Sequence, residues 1–161
     1  RASIQATYGK MKIPMKIDIT TGDEITPKEV KFFYPFLFDD RRVMVKAYTQ
    51  ETILAEKYET IIRRNVGNTR ARDFYDLHLL YRLYRGNADW NLLKQAVFAT
   101  AKKRDSLSVL QDTKRILLAL EESAVLQDLW KRYQAQNLYA REITYPAIME
   151  TVKEFTEKMN F

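Results

Sequence analysis

The sequence contains no cysteine, one histidine (His78), four glycines and four prolines in 161 residues. Without cysteine there is no disulfide framework, no thiolate nucleophile and no Cys-containing zinc site. A single histidine removes His-rich metal sites and leaves His78 the only possible triad histidine. No run approaches the roughly 18 apolar residues of a membrane span, and no signal-peptide pattern opens the chain. A protein of the cytoplasm is therefore expected, with no membrane partner. Disorder and collagen are excluded as well, because hydrophobic residues make up 46% and charged residues 30% of the chain, enough for a core within one globular domain of ordinary size. The chain opens on Arg1 rather than methionine, which suggests the C-terminal part of a longer protein.

Positive charge exceeds negative, 27 basic residues against 21 acidic, a formal +6 that favours an acidic partner without naming one. From Lys57 to Arg85 seven basic residues (Lys57, Arg63, Arg64, Arg70, Arg72, Arg82, Arg85) face three acids (Glu59, Asp73, Asp76), so this stretch holds +4 of the +6. Solvated helix faces explain such a stretch. So does a phosphate-facing surface, where arginines grip phosphate oxygens and Tyr58, Phe74 or Tyr81 stack on bases.

The two ends of the chain differ in period. Ile13, Met15, Ile17 and Ile19 alternate with Lys12, Lys16, Asp18 and Thr20, the period of a half-buried strand, with Pro14 marking an edge or a bulge. A Gly-Asp turn within Thr20–Glu24, the run Val30–Phe38 and a short strand from Arg42 complete residues 1–48 as a small piece of antiparallel or mixed sheet. From Thr49 the period is helical. Thr49 or Gln50 opens a helix with the stripe Ile53, Leu54, Tyr58, Ile61 and Ile62, closing at Arg63–Gly67. Asn68 or Thr69 caps a second helix with Phe74, Leu77, Leu80, Tyr81 and Tyr84. Further helical patterns cover about 89–103, 106–120, 121–136 and 146–159, with Ser108 to Trp130 readable as one helix or two. The expectation is an α+β fold, residues 1–48 forming strands and 49–161 a helical bundle packed on them as one compact unit.

Helix spacing sets Lys57 beside the apolar stripe of its helix and puts Asp73 and Asp76 three apart on one face of the next, so a lysine and two carboxylates can converge across a helical hairpin. Each has a structural reading: Asp73 against the helix dipole, Asp76 paired with Arg72, Lys57 snorkelling past the core. The chemical reading has the carboxylates hold a divalent ion or orient an attacking hydroxyl while the ammonium neutralises a nucleotide phosphate. Asp18 shares the polar strand face with Lys16, a face that is either solvent or a site.

Three blocks resemble the AbiEii/AbiGii toxin family, nucleotidyltransferase-like toxins of abortive-infection and toxin–antitoxin systems related to the DNA polymerase β-type nucleotidyltransferases: MKIDIT (Met15–Thr20), LAEKYETIIRR (Leu54–Arg64) and RARDFYDLHLL (Arg70–Leu80). The resemblance covers roughly residues 10–85, the later helices fitting as a generic bundle. It implies Asp18 as a strand acid and partial metal ligand, Lys57 as the lysine for nucleotide phosphates, and Asp73 or Asp76 as the acid of the last motif, with Lys16, Arg64, Arg70 and Arg72 around the substrate. It further implies transfer of a nucleotide from an NTP, with Mg²⁺, onto RNA such as the acceptor end of tRNA, in phage resistance, together with a cognate antitoxin that need not bind the toxin. The chain departs from the family in its first motif: no glycine is followed by serine and no two aspartates lie two apart. A complete metal site is therefore not expected, and the isolated chain should be inactive. A non-catalytic RNA- or protein-binding helical module is the alternative, and a domain whose Lys-Asp-Asp group is only an ion-pair network is a third reading.

Overall fold

A computed structural model describes residues 1–160. Four strands precede seven α-helices among the described residues, an α+β chain. Strands β1 (Ala2–Tyr8) and β2 (Met11–Ile17) form one antiparallel ladder, and β3 (Val30–Pro35) and β4 (Arg42–Ala47) a second. The two ladders are separate two-stranded sheets. Gly9 has φ +57° at the first position of the two-residue β1–β2 loop, the conformation a type II′ turn needs and glycine supplies without strain.

Register and alternation give the first ladder one apolar face, with Ile4 opposite Met15 and Ala6 opposite Ile13, and one polar face, with Ser3 opposite Lys16 and Thr7 opposite Lys12. The strand period read from sequence is present, but the expected burial is not: Ile13 is 49% exposed and Ile19 65%. Alternation fixes which side of a strand is apolar. It does not supply the second layer that would cover that side. Pro14 sits opposite Gln5 in a ladder where both strands are edges, so its missing N–H costs nothing.

The strand region is fastened to the helices by hydroxyls. Thr49 Oγ1 and Thr52 Oγ1 donate to the Thr26 carbonyl at 2.6 and 3.1 Å, and the Thr26 N–H donates to Thr52 Oγ1 at 2.9 Å. Tyr48 donates to Asp23 Oδ2 at 2.8 Å, and Thr20 does so at 2.6 Å.

Helix α1 (Gln50–Arg64) opens where Thr49 accepts from the Thr52 N–H, as its sequence predicts. Its buried Leu54, Tyr58, Ile61 and Ile62 meet α2 (Ala71–Tyr84) through Phe74 and Leu77, and α3 (Trp90–Lys103) through Leu93 and Val97. Burying each such side chain contributes about 1.5–3 kcal/mol. Helix α2 begins later than expected. Neither Asn68 nor Thr69 caps it; the Asn68 side chain instead accepts from the Arg70 N–H at 2.9 Å, satisfying the connector rather than the helix.

The segment from Ser108 to Trp130 is neither one helix nor two. It runs through α4 (Leu107–Gln111), α5 (Thr113–Glu122) and α6 (Ala124–Gln136). Ser123 breaks the last pair, its extended backbone freeing its hydroxyl to cap the Leu126 N–H. A 3-10 turn, Leu138–Ala140, leads to α7 (Tyr145–Met159), which lies across α2, α3 and α5 with Ile148, Val152 and Phe155 in the core.

Candidate functional site

Helices α1 and α2 are joined by a 3-10 turn at Asn65–Gly67, so the middle of α1 faces the first turns of α2. Lys57 Nζ donates to Asp73 Oδ1 at 2.7 Å and lies 2.8 Å from Asp76 Oδ2, and Arg72 Nε approaches Asp76 at 3.7 Å. Asp73 is 7% exposed. Its second oxygen, Oδ2, is buried without a hydrogen-bond partner. Burial pulls the Lys57 ammonium down, but its hydrogen bonds to Asp73 and Asp76 and their charges outweigh that and leave it above its ordinary value. Lys57 is thus a fixed cation, held by two carboxylates of α2.

This trio lies in a cleft of about 960 Å³. Asp18 enters it from the first hairpin, one residue beyond the end of β2 rather than within the strand, and Arg1 holds both its oxygens, Nε at 2.5 Å and Nη2 at 3.1 Å. Arg70 and Arg72 line the cleft from the start of α2, and Arg132, Tyr133 and Gln136 from α6. Four cations (Lys57, Arg70, Arg72, Arg132) and three carboxylates (Asp18, Asp73, Asp76) leave the lining with one net positive charge.

Of the residues expected at the site from sequence, the fold brings together Asp18, Lys57, Asp73, Asp76, Arg70 and Arg72. Lys16 and Arg64 are not in the cleft lining. Lys16 lies on the polar face of the hairpin opposite Ser3, and Arg64 ends α1 with its Nε buried and unpartnered. Arg132, Tyr133 and Gln136 were missed because α6 begins forty positions after α2 ends. The only local signal is that Arg132 and Gln136 stand four apart and share a helix face turned away from Trp130.

The acids flanking Lys57 in sequence belong elsewhere. Glu59, 1% exposed, accepts from Arg63 Nε at 2.7 Å, Arg104 Nη1 at 2.6 Å and Ser106 Oγ at 2.8 Å, and Arg104 also pairs with Glu56. This network ties α1 to the α3–α4 corner. His78 is buried too, with Nδ1 2.7 Å from Thr151 Oγ1 on α7, and forms no triad.

The carboxylates of the cleft do not make a metal clamp. Mg²⁺ requires a near-octahedral oxygen set, yet Lys57 occupies the space between Asp73 and Asp76, and Arg1 takes both oxygens of Asp18. No group of three His, Asp or Glu side chains among the described residues is placed to hold a metal ion. What the cleft offers is a set of fixed cations beside two carboxylates, an arrangement suited to binding phosphates and, at the more exposed Asp76, to accepting a hydrogen bond from a hydroxyl.

Residues 1–158 match the family model of the nucleotidyl transferase AbiEii toxin, Type IV toxin–antitoxin system. No curated protein and no solved structure matches the chain. Since the family match spans nearly the whole described chain, this protein belongs to the AbiEii nucleotidyl transferase toxin family. Membership extends beyond residues 10–85 to include the C-terminal helices, and it implies an antitoxin as partner. No helix among the described residues is long and apolar enough to cross a membrane.

Proposed function

We propose that the cleft between α1, α2 and α6 takes part in moving a nucleotide from an NTP to a hydroxyl of RNA, with tRNA as the acceptor, in the cytoplasm and in opposition to a cognate antitoxin. The observation that carries this reading is the Lys57 ammonium seated between Asp73 and Asp76 among three arginines. In the reaction the RNA hydroxyl oxygen bonds to the α-phosphorus, the bond from that phosphorus to the pyrophosphate oxygen breaks, and pyrophosphate leaves with the electron pair. Asp76, whose side chain is 22% exposed against 10% for Asp73, accepts the hydroxyl hydrogen bond and then its proton. Lys57, Arg70 and Arg72 neutralise charge as it grows on the leaving group. Mg²⁺ is part of the family chemistry proposed for the full gene product, but the acids of this cleft are already paired to cations and no step is assigned to a metal there.

The test is label transfer from each NTP to total tRNA by the full gene product that carries this chain, alongside Lys57→Ala. Loss of the lysine should remove about 2–4 kcal/mol of transition-state stabilisation, a rate loss of roughly 30- to 1000-fold. RNA binding without any transfer by the full product would instead favour a non-catalytic RNA-binding module. The 161-residue chain assayed alone is expected to transfer no label, and metal-dependent labelling by it would overturn that expectation.

A further inference from the structure

A cluster of tyrosines adjoins the cleft at α6, reaching its lining through Tyr133 alone. Tyr133 lines the cleft from α6, and Tyr139, in the 3-10 turn that follows, is 58% exposed. The Tyr75 ring centroid lies 4.9 Å from that of Tyr139 and 6.1 Å from that of Tyr133, and Trp130 stacks on Tyr133 at 5.4 Å with 28° between planes. Tyr139 Oη donates to Asn137 Oδ1 at 2.8 Å, so at its 3.0 Å contact with Tyr133 it is Tyr133 that donates. The cluster is anchored beneath by Trp130 Nε1, which donates to the Ile143 carbonyl at 2.8 Å.

This group differs from the aromatic core. Tyr58, Tyr81 and Phe155 are at most 3% exposed and bury their rings against one another, whereas Tyr139 leaves most of its surface in water while its position is fixed by two phenols and an asparagine. Burial and the hydrogen bond to Tyr139 hold the Tyr133 phenol well above its ordinary value, so its ring is neutral, and both Asp76 and Arg72 act on it electrostatically. A rigid, neutral, partly exposed aromatic surface thus adjoins the Lys57–Asp76 group and Arg132. Such surfaces accept unpaired bases, since every base presents a π-face, and adjacent arginines take the phosphates.

We propose that Tyr139 and Tyr133 form a stacking platform for an unpaired nucleobase, with Arg132 on the neighbouring phosphate, so that a nucleotide lies along the cleft with its base at the tyrosines and its phosphates toward Lys57. The proposal rests on the reading of this cleft as a nucleotide site and adds the orientation of the occupant. The base belongs either to a free NTP or to a single-stranded RNA end.

The two sources are separated by fluorescence anisotropy on this chain with a labelled ATP analogue, a labelled single-stranded oligoadenylate and a matched RNA duplex whose bases are hidden. Tyr139→Ala should weaken binding of the ATP analogue or of the single strand by about 5- to 100-fold, the range for losing one base–aromatic stack. Tyr139→Phe should retain most of that binding, and Tyr139→Leu, which keeps bulk without a π-face, should not. Whichever ligand responds identifies the source, and the duplex should be unaffected. Unchanged affinity of Tyr139→Ala for both flexible ligands, equal loss for the duplex, or absence of binding to the wild-type chain would overturn the platform. Binding requires no chemistry, so this outcome is independent of transfer. Tyr139-dependent binding with full transfer by Lys57→Ala sinks the catalytic reading alone, and Tyr139-independent binding with transfer lost in Lys57→Ala sinks the platform alone.

Discussion

Lys57 Nζ lies 2.7 Å from Asp73 Oδ1 across the turn that joins α1 to α2, and 2.8 Å from Asp76 Oδ2 one helical turn further on. The same contacts close the helical hairpin and fix a cation in the cleft. Stability and chemistry are therefore coupled at this lysine, and a substitution there has to be read on both scales.

Lys57→Met keeps the apolar stem and removes the charge. It leaves Asp73, 7% exposed and with Oδ2 already bare, facing Asp76 without their shared counter-ion. Breaking a buried pair costs about 3–5 kcal/mol and a surface pair under about 1, so this half-buried one should cost about 2 kcal/mol. That corresponds to a fall in melting temperature of about 4–8 °C. Adding Asp73→Asn, which removes the stranded charge, should recover at least half of the loss. A Lys57→Met melt identical to wild type would return the lysine to a solvated surface role.

Asp18 separates the two scales more cleanly. Its side chain is 68% exposed and that of its partner Arg1 60%, so solvent screens the pair and Asp18→Asn should leave the melt unchanged. If the acid serves the cleft it lines, transfer by the full gene product should fall at least about tenfold. Full activity in Asp18→Asn would remove this residue from the site.

Glu59 makes the opposite prediction. With Arg104, Arg63 and Ser106 converging on a carboxylate that is 1% exposed, Glu59→Ala strands buried donors and should cost about 3 kcal/mol or more. Arg63→Ala, which removes one half-exposed i,i+4 partner, should cost under about 1 kcal/mol. Urea titrations of the two variants should show that contrast, and similar midpoints would mean that the network does not hold α1 to the α3–α4 corner.

The buried His78 imidazole has its pKa lowered from 6.5, chiefly by burial and then by the charge of Arg82. Below pH 6.5 the unfolded chain therefore binds a proton that the folded chain resists, and stability falls as pH falls from 6.5 through the lower folded value. His78→Gln should flatten that part of the pH–stability profile. A profile between pH 7 and 5 that is the same in both proteins would show that His78 is not a source of acid sensitivity.

The helices and their faces were legible in the sequence because local chemistry specifies them. Thr49, one of the two candidate caps, opens α1; of the stripe Ile53, Leu54, Tyr58, Ile61, Ile62 all but the half-buried Ile53 are buried, and Asp73 and Asp76 share a face of α2 by spacing alone. Period also identified β2, since alternation is a property of consecutive residues. Only the tertiary structure decided what those faces meet. Asn68 turned to the Arg70 N–H because the connector needed an acceptor more than the helix did, and Ile13 and Met15 stayed in water because no layer covers their ribbon. The cleft itself is a long-range object: Asp18 reaches it from a hairpin, and Arg132 and Tyr133 come from a helix that only the packing of the bundle brings beside α2. Charge and spacing along a chain can nominate a lysine and two aspartates, but which cations, rings and free oxygens surround them depends on how the elements pack in space.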